Sequence, residues 1–220
     1  MKMMAIDQRQ VDIAIASAPT DEQCRAIDKV LAERRRIARM RTAAAIRVAD
    51  DSPWLVLSVL TGRELTVRDQ LIGANIEVIV PMKMGPKLRR FHKEIPAKPQ
   101  PVMVGYILVR CQLNNASLAG LLTFDHVVSV LGGSERPYLV DADKVNKFNE
   151  KAGKGEFDHE VPQSAFTGVK RVAIREGVFA GKEAKFISGP AKGKGVAVVE
   201  FELFGQPRSM IMPLAFLSPL

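Results

Sequence analysis

Apolar residues along this chain follow three different rhythms, and each predicts a different kind of element. From Asp21 to about Ala45, Ile27, Val30, Leu31 and Ile37 recur at near-helical spacing among Ala, Arg and Glu. That pattern predicts a long helix, capped by Thr20 or Asp21 and ended by Asp50, Ser52 and Pro53. Arg34, Arg35 and Arg36 interrupt its apolar stripe. Residues 1–20 have no strong period and are expected to be mobile.

The central rhythm alternates short apolar runs with helical ones. WLVLSV (Trp54–Val59) has the length and continuity of a buried strand. Thr61-Gly-Arg-Glu64 has the form of a capping box, in which the Thr hydroxyl accepts from a backbone N–H and the Glu reaches back. A helix is therefore expected from there to Ile72, ended by Gly73. IEVIVP (Ile76–Pro81), VMVGYILV (Val102–Val109) and VVSVL (Val127–Leu131) predict three more strands. Asn115 is expected to cap a short helix, and Asp141 another that carries Val145 and Phe148. Residues 82–101, rich in Pro, Lys and Arg, predict an exposed loop or a loosely paired hairpin. The order β-α-β-β-α-β with a trailing helix is that of a ferredoxin-like split βαβ sandwich.

The third rhythm begins after a polar, Gly-rich stretch at 151–165, which has the composition of a flexible linker. VKRVAIRE, KEAKFIS, GVAVVEFELF and RSMIMP are strand-like runs divided by glycines and Pro207. Some five short strands without a helix predict a small SH3-like β-barrel. The fold class expected is α+β, organised as a partly helical N-terminal extension (1–52), a sandwich domain (53–150), a linker (151–166) and a barrel (167–220).

Composition narrows the function. The net charge of +8 favours polyanionic surroundings. It has two local peaks: eight basic residues from Arg25 to Arg47 against Asp28 and Glu33, and six from Lys83 to Lys98 against Glu94. Cys24 and Cys111 lie far apart, and His92, His126 and His159 are scattered, so neither a metal site nor a cofactor is expected. His126, behind Asp125, reads as a turn residue at the start of a strand. Gly189-Pro-Ala-Lys-Gly-Lys-Gly195 lacks the spacing and the Ser or Thr of a phosphate loop, and reads as a hairpin turn. No local motif suggests a nucleophile with its base, so an enzyme is not expected. No apolar run approaches the ~20 residues needed to cross a bilayer, and the polar start is no secretory signal. A cytoplasmic protein is the expectation.

Four segments, taken in order, resemble one family. Pro101-Val-Met-Val-Gly-Tyr-Ile-Leu-Val109 is similar to the strand of the NusG N-terminal domain that carries a Gly-Tyr pair. WLVLSVLTGRE resembles the start of that domain, and VVSVLGGSERPYLVDADKV its strand that ends in Gly-Gly before an Arg-Pro and an acidic helix start. VKRVAIREGVFAGKEAKFIS, with VEFELFGQPRSMIMP, resembles the KOW module. The likeness covers roughly residues 53–220, and its order and spacing make it specific.

The resemblance implies a transcription elongation factor. Its N-terminal domain would dock on the clamp helices of RNA polymerase through Met103, Val104, Gly105 and Tyr106, with Trp54 nearby. A strand beginning at a sheet edge could present those side chains outward, or they could fill the core. Lys83, Lys87, Arg89, Arg90, Phe91 and Lys93 would face upstream or non-template DNA, basic side chains on phosphate and the ring on a base. The KOW module would recruit a further partner, typically Rho or a small-subunit ribosomal protein, to promote or prevent termination. Val102, Met103 and Val104 stand where the family usually has Phe-Phe-Pro, and Ala184 where the module has a glycine. With the added N-terminal segment, these departures imply a specialised relative, phage-borne, plasmid-borne or dedicated to an operon. Two other readings stay open: an RNA-binding or ribosome-associated KOW protein, and a factor whose KOW module covers the docking patch until recruited.

Overall fold

The computed structural model describes residues 21–85, 88–90, 93–158, 166–189 and 195–220. The chain divides into two compact units, Met1–Arg39 and Met40–Leu220. Helix α1 spans Asp21–Ala44, and Asp21 and Glu22 in its first turn complement the helix dipole. Within the first unit Ile27, Val30 and Leu31 are exposed, so that stripe has no apolar cover among the described residues. Residues 1–20, expected to be mobile, lie outside the described residues.

The second unit opens with β1 (Trp54–Val59), α2 (Glu64–Gly73) and β2 (Glu77–Ile79). A long hairpin follows, built from β3 (Met82–Met84), β4 (Leu88–Arg90), β5 (Lys93–Ile95) and β6 (Pro99–Pro101). Then come β7 (Tyr106–Arg110), α3 (Asn115–Leu121), β8 (Val127–Val130), β9 (Leu139–Val140) and α4 (Ala142–Gly153). The main sheet runs β2-β7-β1-β8, with β9 also paired to β1, and every ladder in it is antiparallel. This is the ferredoxin-like arrangement.

The continuous apolar run of β1 has a direct cause: both faces of the sheet are covered. Leu55, Leu57 and Val59 pack with Val67, Leu71, Leu118 and Leu121 beneath α2 and α3. Trp54 and Val56 face the other way, into a cluster that holds Val145 and Phe148 of α4. The end of α1 joins the first layer: Ala44 is buried in it, and the Arg41 guanidinium donates to Thr123 Oγ1 at 2.9 Å and lies 4.2 Å from the Phe124 ring centroid.

The C-terminal β-module comprises β10 (Arg171–Ile174), β11 (Glu183–Ser188), β12 (Val196–Leu203), β13 (Gln206–Pro213), a 3-10 turn (Leu214–Phe216) and β14 (Leu217–Pro219). Its five strands form one antiparallel sheet in the order β13-β12-β11-β10-β14, of SH3-like type. Val172, Ile174, Ala184, Val199, Phe201 and Met212 fill its interior.

Local details depart from the sequence pattern in instructive ways. Arg63, not Thr61, occupies the N-cap of α2, because a turn through Leu60–Arg63 delays the helix. Glu64 is thereby the first helical residue and cannot close a capping box. Asn114, not Asn115, caps α3, its side chain accepting from the Ser117 N–H at 2.7 Å. The third strand of the sheet begins at Tyr106 rather than Val102. Of the two alternatives for 82–101, the paired hairpin is the one observed. His126 takes φ +70 just ahead of β8, as a turn residue does. The stretch expected as a linker starts as the last turn of α4, and its Phe157 is buried with the ring centroid 4.9 Å from that of Phe216. Residues 159–165 lie outside the described residues.

Candidate protein-docking site

Val102 to Gly105 form the turn that feeds β7, and backbone geometry decides its shape. The Val102 N–H donates to the Pro81 carbonyl at 2.8 Å, and the Tyr106 N–H reaches back to Met103 at 3.4 Å. Gly105 sits at φ +80, a left-handed conformation that disfavours any residue with a Cβ. Its carbonyl accepts from the Val59 N–H at 2.9 Å, and its own N–H donates to Glu64 Oε1 at 2.7 Å. The Glu64 side chain is 3% exposed. The turn is thus held from both sides, by β1 and by the first residue of α2. Apolar content alone could not distinguish this turn from a strand.

The docking residues inferred from sequence do not all come together. Met103, Val104, Gly105 and Tyr106 are consecutive on this turn and the start of β7. Trp54 is elsewhere, because the antiparallel register sets Ser58, not Trp54, opposite Tyr106. Four residues of extended chain, roughly 13 Å, separate those positions. Trp54 is 1% exposed, lies beside Arg110 (5.0 Å from guanidinium carbon to ring centroid), and its Nε1–H has no hydrogen-bond partner among the described residues. Arg110 itself is 8% exposed and donates twice to Glu77, at 2.6 and 2.7 Å, and to the Asp50 carboxylate at 3.1 Å. β7 also lies inside the sheet, between β2 and β1, so the expectation of a strand starting at an edge does not hold.

Nor is the turn open to solvent. Met103 is 4% exposed, while Val104 and Tyr106 are half-buried. Met103 belongs to one apolar cluster with Phe179, Phe201 and Leu203 of the C-terminal β-module. The Tyr106 ring meets Phe179 edge-on, with centroids 6.5 Å apart and planes at 79°. Burial raises the Tyr106 phenol above its ordinary pKa, although Arg208 pulls in the opposite direction. The face expected to receive a partner is therefore covered by another part of the same chain.

Residues that sequence reasoning passed over complete this contact. Tyr138, just before β9, stacks on Phe179 at 5.4 Å and donates from its hydroxyl to the Val178 carbonyl at 3.0 Å. Lys151 on α4 donates to both carboxylate oxygens of Glu176, at 2.8 and 2.9 Å. Phe148 meets Phe216 with centroids 5.8 Å apart. Nothing in the RPYLV segment distinguishes Tyr138 locally, and pairing between distant modules leaves no periodic signal.

Of the basic candidates, Lys83 lies on β3, and Arg89, Arg90 and Lys93 lie on the β4–β5 hairpin, where Arg89 pairs with Glu94 and Arg90 with Lys93. Lys87 and Phe91 lie outside the described residues. Among the described residues no group of three or more His, Cys, Asp or Glu could hold a metal ion. No described helix is long and apolar enough to cross a membrane.

Fold and contacts together define an α+β protein of two modules joined through an aromatic, apolar face. Residues 52–149 match the family described as "Transcription termination factor nusG", and this domain is of the NusG type. No curated protein matches the chain. A solved structure described as "Domain interaction in Thermotoga maritima NusG" is 14% identical, covering 77% of this chain and 97% of its own, with a TM-score of 0.39. Two structures described as the MjSpt4:Spt5 complex, conformations A and B, are each 15% identical over 76% of this chain, covering 97% and 96% of theirs, with TM-scores of 0.25 and 0.28.

Proposed function

We propose that this chain is a transcription elongation factor that docks on the clamp helices of RNA polymerase through Met103, Val104, Gly105 and Tyr106, once its C-terminal β-module has moved aside. The observation that carries the reading is the position of Tyr106. It lies within the family-matched segment, and its ring meets Phe179 of a different module. Large apolar side chains on a pinned turn make an effective docking surface, since little conformational freedom is lost on binding. Trp54, buried at the far end of β1, supports the sheet beneath that surface.

In the docked state the basic segment that carries Lys83, Lys87, Arg89, Arg90, Phe91 and Lys93 runs along upstream or non-template DNA. Its cations hold phosphate without reading sequence, so this contribution weakens steeply with salt. The released β-module acts as a KOW domain and recruits a second protein, of the kind that Rho or a small-subunit ribosomal protein represents. An RNA-binding or ribosome-associated role is less favoured, because the family match lies in residues 52–149 and not in the module on which that role rests.

Capture of the purified chain by RNA polymerase tests the reading. A chain opened by Glu176→Ala is expected to be retained more strongly than wild type. Adding Tyr106→Ala is expected to abolish retention while the melting profile stays cooperative. Tight RNA binding with no retention of either form would transfer the assignment to the RNA-binding role.

A further inference from the structure

The turn joining β12 to β13 is built from a residue poorly suited to it. Leu203 pairs with Gln206, so Phe204 and Gly205 alone form the loop, at φ +52 and +75. Two positive values in a two-residue hairpin loop are those of a type I′ turn, for which Asn-Gly is the favoured pair. A Phe there sets its Cβ against its own carbonyl, whereas Asn tolerates the conformation. At 55% exposure, burial does not account for the choice.

The ring's neighbours do. A Cβ placed on Gly132 would meet the Arg136 carbonyl oxygen at 2.3 Å and Phe204 Cε2 at 2.6 Å, so the bare glycine that its own turn requires also leaves room for the ring. Gly132 itself takes φ +87. The Phe204 ring also meets Tyr138 edge-on, with centroids 6.4 Å apart and planes at 73°. Tyr138 stacks on Phe179, and Phe179 meets Tyr106. A continuous set of aromatic contacts thus links the hairpin tip to the docking residue.

The geometry points to Phe204 as a strained latch: its ring holds the β-module against Gly132 and Tyr138, at the expense of the turn that carries it. Closure and turn comfort oppose one another, which keeps the closed state reversible. The inference rests on the reading that the β-module must leave Tyr106, but its test needs no polymerase.

Tyr106 and Tyr138 are the chain's two tyrosines, and both touch Phe179. Fluorotyrosine incorporated into the full chain therefore gives two fluorine signals that report closure. Phe204→Asn is expected to raise the open population at least fivefold while amide exchange protection along the β12–β13 ladder holds or rises. Phe204→Ala, which removes the ring without relieving the turn, is expected to open the chain with no gain in protection. Wild-type populations in both variants would overturn the latch and leave closure standing. Opening accompanied by collapse of ladder protection would overturn it too, because the ring would then merely support its own module. Solvent-like signals in the wild type would overturn closure itself, and the latch with it.

Discussion

Glu64 accepts a hydrogen bond from the Gly105 backbone N–H at 2.7 Å, joining the first residue of α2 to the turn that presents Tyr106. Both groups are buried, so the carboxylate satisfies a donor that water does not reach. Glu64→Ala is expected to destabilise the chain by about 1–3 kcal/mol, the usual cost of leaving a buried amide unpartnered. Glu64→Gln retains an acceptor and is expected to recover most of that loss. Denaturant melts of the two variants check this. Equal losses would make the carboxylate's charge, rather than its acceptor oxygen, the important property.

The ion pair between Lys151 and Glu176 spans the contact between α4 and the β-module. It is bidentate, but its side chains are 38% and 36% exposed, so water screens it. Pairs of this kind contribute about 0.2–1 kcal/mol. Glu176→Ala is expected to raise the open population a few-fold, as read from the tyrosine signals. Added salt is expected to produce part of the same effect in the wild type and none in the variant.

Burial raises the phenols of both Tyr106 and Tyr138, and Asp141 adds to the effect at Tyr138. The closed state therefore holds these protons more tightly than an exposed phenol does. Its stability should be fully present below the ordinary phenol pKa of about 10 and lost as pH rises through the raised values. An opening transition above that pH is expected, and Tyr138→Phe should reduce its steepness. Opening that begins near neutral pH would point to other groups.

Arg110 ties the segment after α1 to β2 through Asp50 and Glu77. Arg110→Leu removes these charge-assisted bonds and the cation above Trp54, and is expected to cost about 1.5–3 kcal/mol. Amide exchange should rise first at residues 46–52 and along β2. Uniform acceleration across the sheet would instead make Arg110 a general core residue.

Much of the architecture was legible in the sequence because its signals are local. The run Trp54–Val59 appears as a strand with those ends, since a central strand covered on both faces must be apolar throughout. The first four strands of the β-module are separated by glycines that the turns use, whereas β14 follows a 3-10 turn without one. Val102–Gly105 has the pattern of a strand because Val and Met suit one, and only the left-handed Gly105 turns the chain there. Glu64 has the spacing of a capping-box partner, but one added turn before the helix gives its carboxylate to Gly105 instead. The contact of Tyr106 with Phe179 was out of reach: it depends on how two modules meet, and each residue alone suits an ordinary core. Sequence therefore reaches the Gly-Tyr segment and leaves closure by the C-terminal module open as one alternative, but it does not name the aromatic residues that make the contact.

The most direct test adds a polymerase fragment comprising the clamp helices to the fluorotyrosine-labelled chain and follows both signals. Tyr106 and Tyr138 are expected to leave their Phe179-shielded positions together, with Phe204→Asn binding at lower fragment concentration than wild type. Saturable binding that leaves both signals unmoved would contradict this, since the fragment would then occupy a surface that the β-module never covers.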